Sequence, residues 1–229
     1  NLNRNLWSMP NTHWVLTSGT MKDDTGFRYF KHELGISGNI PEGATLEHSN
    51  GSPFDYKNHT RLYISENVPF PDMDDPEYIQ AVCDEIVKLV HATRGHTAIL
   101  FTSYRMLRMV YEKVKKRLLD YRLIQMTRSD KTAIGQFKRE KNSVLFASGS
   151  MWEVDCAGDV LSSVIIVRLP FPLRSQLMEY KKAQYDTVRE FVQECAIPQM
   201  IIKLRQGAGR LIRTENDTGV IAILDSRAA

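Results

Sequence analysis

Gln206, Arg210 and Arg213 are the residues of this chain best suited to hold a chain of phosphates. They lie in LRQGAGRLIR (204–213), after an apolar run of Ile197, Met200, Ile201, Ile202 and Leu204 whose spacing predicts a helix. Positions i, i+4 and i+7 share a helix face, so that face would present two guanidiniums and an amide. Such an array of donors matches the oxygens of a polyphosphate. Gly207 and Gly209 each cost about 1 kcal/mol against alanine in a helix. Their missing side chains would allow a close approach of backbone or ligand. Surface ion pairing would account for the arginines but not for the paired glycines.

The elements that position this stretch alternate along the chain. HWVLTSGTM (13–21) reads as a short strand entering a polar turn, and helical spacing through Phe27, Phe30 and Leu34 stops at Gly35. Residues 36–60 read as loop, with a short strand near ATLEH (44–48). RLYIS (61–65) predicts another strand. Asp75 as N-cap and Pro76 at the first helical position open a helix with Ile79, Val82, Cys83, Ile86 and Val90 on one face. TAILF is a buried strand. Ser103 caps the next helix, whose stripe is Leu107, Val110, Tyr111, Val114 and Leu118. RLIQM, a helix near 130–140, SVLFAS and SSVIIVRLPFP follow. A long helix from Ser175 to Cys195, the helix of the opening stretch, and a last strand GVIAIL complete the series. Apolar strands alternating with helices predict an α/β fold, a mostly parallel sheet covered on both faces.

In such sheets ligands gather at the carboxyl ends of the strands. Those ends are polar here: Thr17, Ser18 and Thr20; Thr102, Ser103 and Tyr104; Ser148, Gly149 and Ser150. Hydroxyls and backbone N–H groups there can meet phosphate oxygens, although Ser and Thr also cap helices for structural reasons. No GxxxxGK[ST] phosphate loop occurs, and no strand ends in paired acids that would hold magnesium. If the chain handles nucleotide, it supplies only part of the site.

Charge is uneven along the chain, although the net value is only +3. Glu66–Val87 holds seven acids and no Lys or Arg, whereas Arg105–Lys141 holds twelve Lys plus Arg against four acids. The basic stretch reads either as a solvated helix face or as a track for a phosphate backbone. Cys83, Cys156 and Cys195 form no CxxC pair and the six histidines show no ligand spacing, so no metal is expected and a reducing cytoplasm fits. No apolar stretch is long enough to predict a membrane span. NLNRNLWSMP is not a secretory leader, and without an initiator Met the chain reads as a fragment or a processed form.

QGAGRLIR resembles the QxxGRxxR motif VI of superfamily 2 helicases, in the form carried by the DinG/XPD group. VLTSGTM resembles motif III, AILFTSYRML motif IV and SGSMWEVDCAGD motif V, in that order; LPFP and GVIAILDSR also fit the DinG-like pattern. The likeness spans residues 14–227. One departure is local: the family's WEGxD has a glycine after the glutamate, and Trp152-Glu153-Val154-Asp155 does not.

The resemblance implies a RecA-like second motor lobe over residues 25–229, with residues 1–24 ending the first lobe. It implies a DNA helicase of repair, driven by ATP, with magnesium and the phosphate loop held by a missing first lobe. An iron–sulfur domain, where relatives have one, would also lie upstream. By the same likeness Arg210 is the arginine finger, Arg213 and Gln206 support the phosphate and the attacking water, and Gly209 belongs to the motif. Glu153 and Asp155 would couple nucleotide to DNA. Thr102, Ser103, Tyr104, Ser148 and Ser150 would line the path of a single DNA strand, and Thr17, Ser18 and Thr20 belong to motif III. Alone the chain is expected not to hydrolyse ATP. Two other readings are a helicase-like DNA-binding module serving a fused nuclease and a Rossmann-type metabolic enzyme. The latter is disfavoured because Gly207 and Gly209 follow a helix, not a strand.

Overall fold

The computed structural model describes residues 3–23, 26–41, 43–126, 132–140, 142–149 and 161–229. In chain order the helices and strands are α1 (Arg28–Glu33), α2 (Tyr56–His59), β1 (Thr60–Ile64), α3 (Pro76–Thr93), β2 (Thr97–Phe101) and α4 (Tyr104–Val114). There follow β3 (Arg122–Gln125), α5 (Thr132–Arg139), β4 (Ser143–Ser148), β5 (Ser163–Ile166), α6 (Gln176–Lys182), α7 (Val188–Phe191), α8 (Ile197–Ala208) and β6 (Gly219–Ile223). The chain divides into two compact units, residues 1–52 with 171–205 and residues 53–170 with 206–229.

The second unit holds the whole sheet. Its six strands run in the order β1-β6-β5-β2-β4-β3 and every pairing is parallel. The predicted α/β class is therefore the observed one. Each residue of β2, β4 and β5 is buried, as continuous apolar runs require in a sheet covered on both faces. Alternate residues Ile99, Phe101, Val144, Phe146 and Ile165 join Ile79, Val82, Ile86 and Val90 of α3 and Leu107, Val110 and Val114 of α4 in one core. Burying one such side chain contributes about 1.5–3 kcal/mol. The connection through α5 runs back from β3 to β4, so right-handed crossovers put α5 on the face opposite α4. There Ala133 and Phe137 are buried.

Local signals explain the helix ends. Asp75 accepts the N–H of Glu77 and Pro76 begins α3, as expected. Ser103 accepts the N–H of Met106 at the start of α4. α3 ends with Arg94 in the left-handed region, followed by Gly95 at φ +81°, where a Cβ would lie 2.8 Å from the Asn142 Cα. Only glycine fits there.

The first unit corrects three expectations. Residues 13–21 form no strand: Val15 is 88 % exposed and no described strand lies beside it to complete its hydrogen bonds. Nor do residues 44–48, where Leu46 is fully exposed. The long helix over 175–195 is interrupted. Ser175 caps α6, the chain leaves the helix at Ala183, and Thr187 caps α7 anew by accepting the N–H of Glu190. Thr187 and Glu190 have the T-x-x-E spacing of a capping box, but Glu190 accepts from Asp186 N, one residue before the cap. A π-helical turn, Val192–Ala196, then leads into α8. Lys181 pairs with Glu33 of α1, and Arg28 with Glu194 at 3.3 Å.

Candidate functional site

The glycine-bearing stretch is not one helical face. α8 stops at Ala208, and Gly209 and Arg210 form a turn closed by Arg210 N to Gly207 O (3.3 Å) and Leu211 N to Ala208 O (3.1 Å). Bonds of this i to i+3 kind tighten a helix end, and two glycines in its last residues remove the resistance to stopping there. Leu211 and Ile212 then turn inward, each 2 % exposed. Gln206 lies on the helix, Arg210 in the turn and Arg213 beyond both, so their i, i+4, i+7 alignment fails. The glycines end the helix and release Arg210 from it.

Arg210 is half-buried. Its Nε is shut away from water with no hydrogen-bond partner, and no carboxylate pairs with its guanidinium among the described residues. A buried donor without an acceptor costs about 1–3 kcal/mol, so Arg210 Nε makes no stabilising contact of its own. Gln206 is also half-buried, whereas Gly209 and Arg213 are exposed. Downstream, the Asp217 carboxylate accepts Arg213 N, Thr214 N and Thr214 Oγ1, each at 2.8 Å. Those bonds, the one from Arg213 first, hold its carboxyl below the ordinary aspartate range.

The polar strand ends lie elsewhere. Gly219, the first residue of β6, packs against Leu211 and the carbonyl of Ser162 just before β5, so the arginine turn adjoins the amino ends of the strands. Thr102, Ser103, Tyr104 and Ser148 lie at the carboxyl ends of β2 and β4. With about 3.3 Å of rise per residue, a five-residue strand separates these edges by roughly 13 Å. The sheet therefore carries two sets of candidate residues, one at each edge.

At the carboxyl edge Ser103 Oγ caps α4, so its expected ligand role competes with a structural one. The hydroxyls of Tyr104 and Ser148 are both buried without a partner. A Cβ on Gly149, which follows Ser148 and has φ +73°, would lie 3.9 Å from the Tyr104 hydroxyl. Thr102 is half-buried. Ser150, Glu153 and Asp155 lie outside the described residues. In the first unit Thr17, Ser18 and Thr20 sit in irregular backbone, with Thr20 N donating to Ser18 Oγ at 3.2 Å.

The basic run proves partly committed. Arg105 pairs with Asp74 (3.1 Å) and Arg117 with Asp84 (2.5 Å), both acids of the preceding acidic run, and Lys115 with Glu112. These pairs are exposed and each contributes about 0–1 kcal/mol. Arg108, Lys113 and Lys116 are exposed and make no ion pair among the described residues. The described residues hold no cluster of three or more His, Cys, Asp or Glu suited to a metal. No described helix is long and apolar enough to cross a membrane.

Residues 86–229 match the profile of the helicase C-terminal domain. The chain belongs to that family. Relatives include the ATP-dependent DNA helicase YoaA of Haemophilus influenzae, 33 % identical over 219 residues, covering 93 % of this chain and 33 % of YoaA. The 3'-5' exonuclease DinG of Bacillus subtilis is 30 % identical over 225 residues, covering 93 % of this chain and 23 % of that protein. Among solved structures an XPD helicase superimposes with a TM-score of 0.68 at 17 % identity, covering 92 % of this chain and 38 % of the other. The chain thus spans about a third or less of the length of these curated relatives.

The helicase C-terminal domain has one feature to which sequence reasoning assigned no role. Asp225, fully buried after β6, accepts Leu169 N (2.8 Å) and both Nε (2.8 Å) and Nη2 (2.6 Å) of Arg227. Burial would push its carboxyl up, but the hydrogen bonds from Arg227 and Leu169 outweigh it and leave the group below its ordinary range. Arg227 also lies over the Phe70 ring at 5.7 Å. The sequence holds only a partial signal of it, an acid ending an apolar strand with arginine two residues on, as in ILDSR.

Proposed function

We propose that this helicase C-terminal domain is the second motor lobe of an ATP-dependent DNA helicase of the DinG/XPD kind, one that translocates on a single strand. Residues 1–24 end the first lobe, and the remaining length supplies the phosphate loop and the magnesium ligands. Arg210 carries the reading: a half-buried guanidinium with an unpartnered Nε and no ion pair among the described residues. Between closed lobes it meets the γ-phosphate, where charge grows during transfer. An arginine so placed accelerates hydrolysis by on the order of 10³ to 10⁵.

Gln206 orients the attacking water and Arg213 adds a second cation. Thr102, Tyr104, Ser148 and Ser150 line the DNA at the opposite edge, and Glu153 and Asp155 couple the two events. Separate edges suit a motor, because one ligand can report on the other only through movement of the lobe between them. Alone the chain hydrolyses no ATP. Action on DNA accords with the names of its relatives, and we assign that action to DNA repair in the bacterial cytoplasm.

The test is ATP hydrolysis by the full-length protein, with and without single-stranded DNA, beside Arg210→Ala. DNA-stimulated turnover that falls at least about a hundredfold in the variant supports the finger. The Bacillus subtilis relative is named an exonuclease, and a DNA-binding module serving such an activity would bind the strand yet hydrolyse no ATP. That outcome overturns the motor reading.

A further inference from the structure

Between Arg210 and β6 the chain has no regular structure, yet the segment is held at both ends. Upstream, Leu211 and Ile212 are buried. Downstream, Gly219 enters the sheet opposite Thr60. Arg213 lies between these anchors and is exposed, so its backbone needs some other restraint if its guanidinium is to meet a ligand in one place.

Asp217 is that restraint. Its Oδ2 accepts both Arg213 N and Thr214 N, and its Oδ1 accepts Thr214 Oγ1, all at 2.8 Å. Asp217 N in turn donates to Thr214 O at 3.3 Å, closing the loop from the other side. Distances near 2.8 Å are those of charge-assisted bonds, roughly twice as strong as neutral ones. A solvated aspartate would have no need of three donors from two residues. We propose that Asp217 is a positioning residue for the nucleotide site: by gripping the backbone of residues 213 and 214 it orders the Arg210–Arg213 segment before nucleotide arrives. The proposal rests on the assignment of Arg210 and Arg213 above. Ordering paid for in folding need not be paid again in the transition state, so the gain falls on turnover.

The carboxylate could instead act by its charge on Arg213, and the arrangement of its two oxygens separates these roles. Because one oxygen takes both N–H groups, an asparagine carbonyl can replace it. The asparagine amide would then face Thr214 Oγ1, which can accept. Asp217→Asn keeps the geometry without the charge, and Asp217→Ala loses both.

In the full-length protein we would measure kcat and KM for ATP at saturating single-stranded DNA, together with amide exchange of residues 213–217 and thermal unfolding. Asp217→Ala is expected to speed exchange at 213 and 214 and to lower kcat about tenfold, with KM within about threefold and Tm little changed. Asp217→Asn is expected to keep kcat within about threefold of wild type. If Asp217→Ala loosens the loop and leaves kcat alone, or if Asp217→Asn is as impaired as Asp217→Ala, the positioning role is overturned. If Asp217→Ala unfolds the protein, the asparagine variant decides by the same criterion. A wild-type protein without ATP turnover overturns the motor reading and this proposal together, whereas normal wild-type turnover with an unaffected alanine variant overturns this proposal alone.

Discussion

A Cβ on Gly219 would lie 2.6 Å from Leu211 Cδ1 and 2.6 Å from the carbonyl oxygen of Ser162. The leucine side chain could give way, but the carbonyl is fixed because it accepts Val220 N at 3.0 Å in the sheet. Gly219→Ala therefore strains the start of β6, at a cost of about 1–3 kcal/mol. Urea unfolding should show a lower midpoint with an unchanged slope. Because Leu211 adjoins Arg210, the same variant should also slow ATP hydrolysis by the full-length protein. An unchanged midpoint would mean that β6 shifts freely and does not anchor the arginine turn.

The hydroxyl of Ser148 is buried and unpaired, and that of Tyr104 is in the same condition. An unsatisfied buried polar group carries a penalty of about 1–3 kcal/mol. Ser148→Ala is thus expected to leave the Tm of the ligand-free protein unchanged or slightly raised, which is the reverse of most core substitutions. Binding of a labelled single strand, followed by anisotropy, should weaken by about two- to tenfold if the hydroxyl meets a phosphate. The salt dependence should stay near that of the wild type, because the cations that release counterions are untouched. A lower Tm with unaltered binding would assign this hydroxyl to the fold.

Much of the second unit was legible because its signals are local. Asp75-Pro76 starts α3 and Ser103 starts α4 by side chains that bond within three residues, and the apolar runs of β2 and β4 could only be buried strands. The strand order was not legible, since neighbours such as Thr97 and Ser163 meet across 66 residues. Strand readings at 13–21 and 44–48 failed because apolar composition alone provides no partner strand. The break before Thr187 had a signal in the sequence, the T-x-x-E spacing of Thr187 and Glu190. At the candidate site the separation of Arg210 and Ser148 to opposite ends of the strands was not legible, because it depends on where α8 ends. Asp225 required Leu169, 56 residues away, to acquire its role.

Asp225 also sets an expectation for pH. Its folded pKa lies below the ordinary carboxylate value of about 3.9. A depressed folded pKa contributes stability that is fully present above the unfolded value and is lost as pH falls through the folded one. Asp225→Asn removes the negative charge facing Arg227 and weakens the tie to Leu169 N. Breaking a fully buried pair costs about 3–5 kcal/mol. The Arg227 side chain is 31 % exposed and can recover some hydration, so about 1–3 kcal/mol is expected at pH 7. Urea unfolding of both proteins from pH 7 down to pH 2 should show this gap narrowing below about pH 4. A gap that stays constant throughout would mean that Asp225 acts by the shape of its hydrogen bonds and not by its charge.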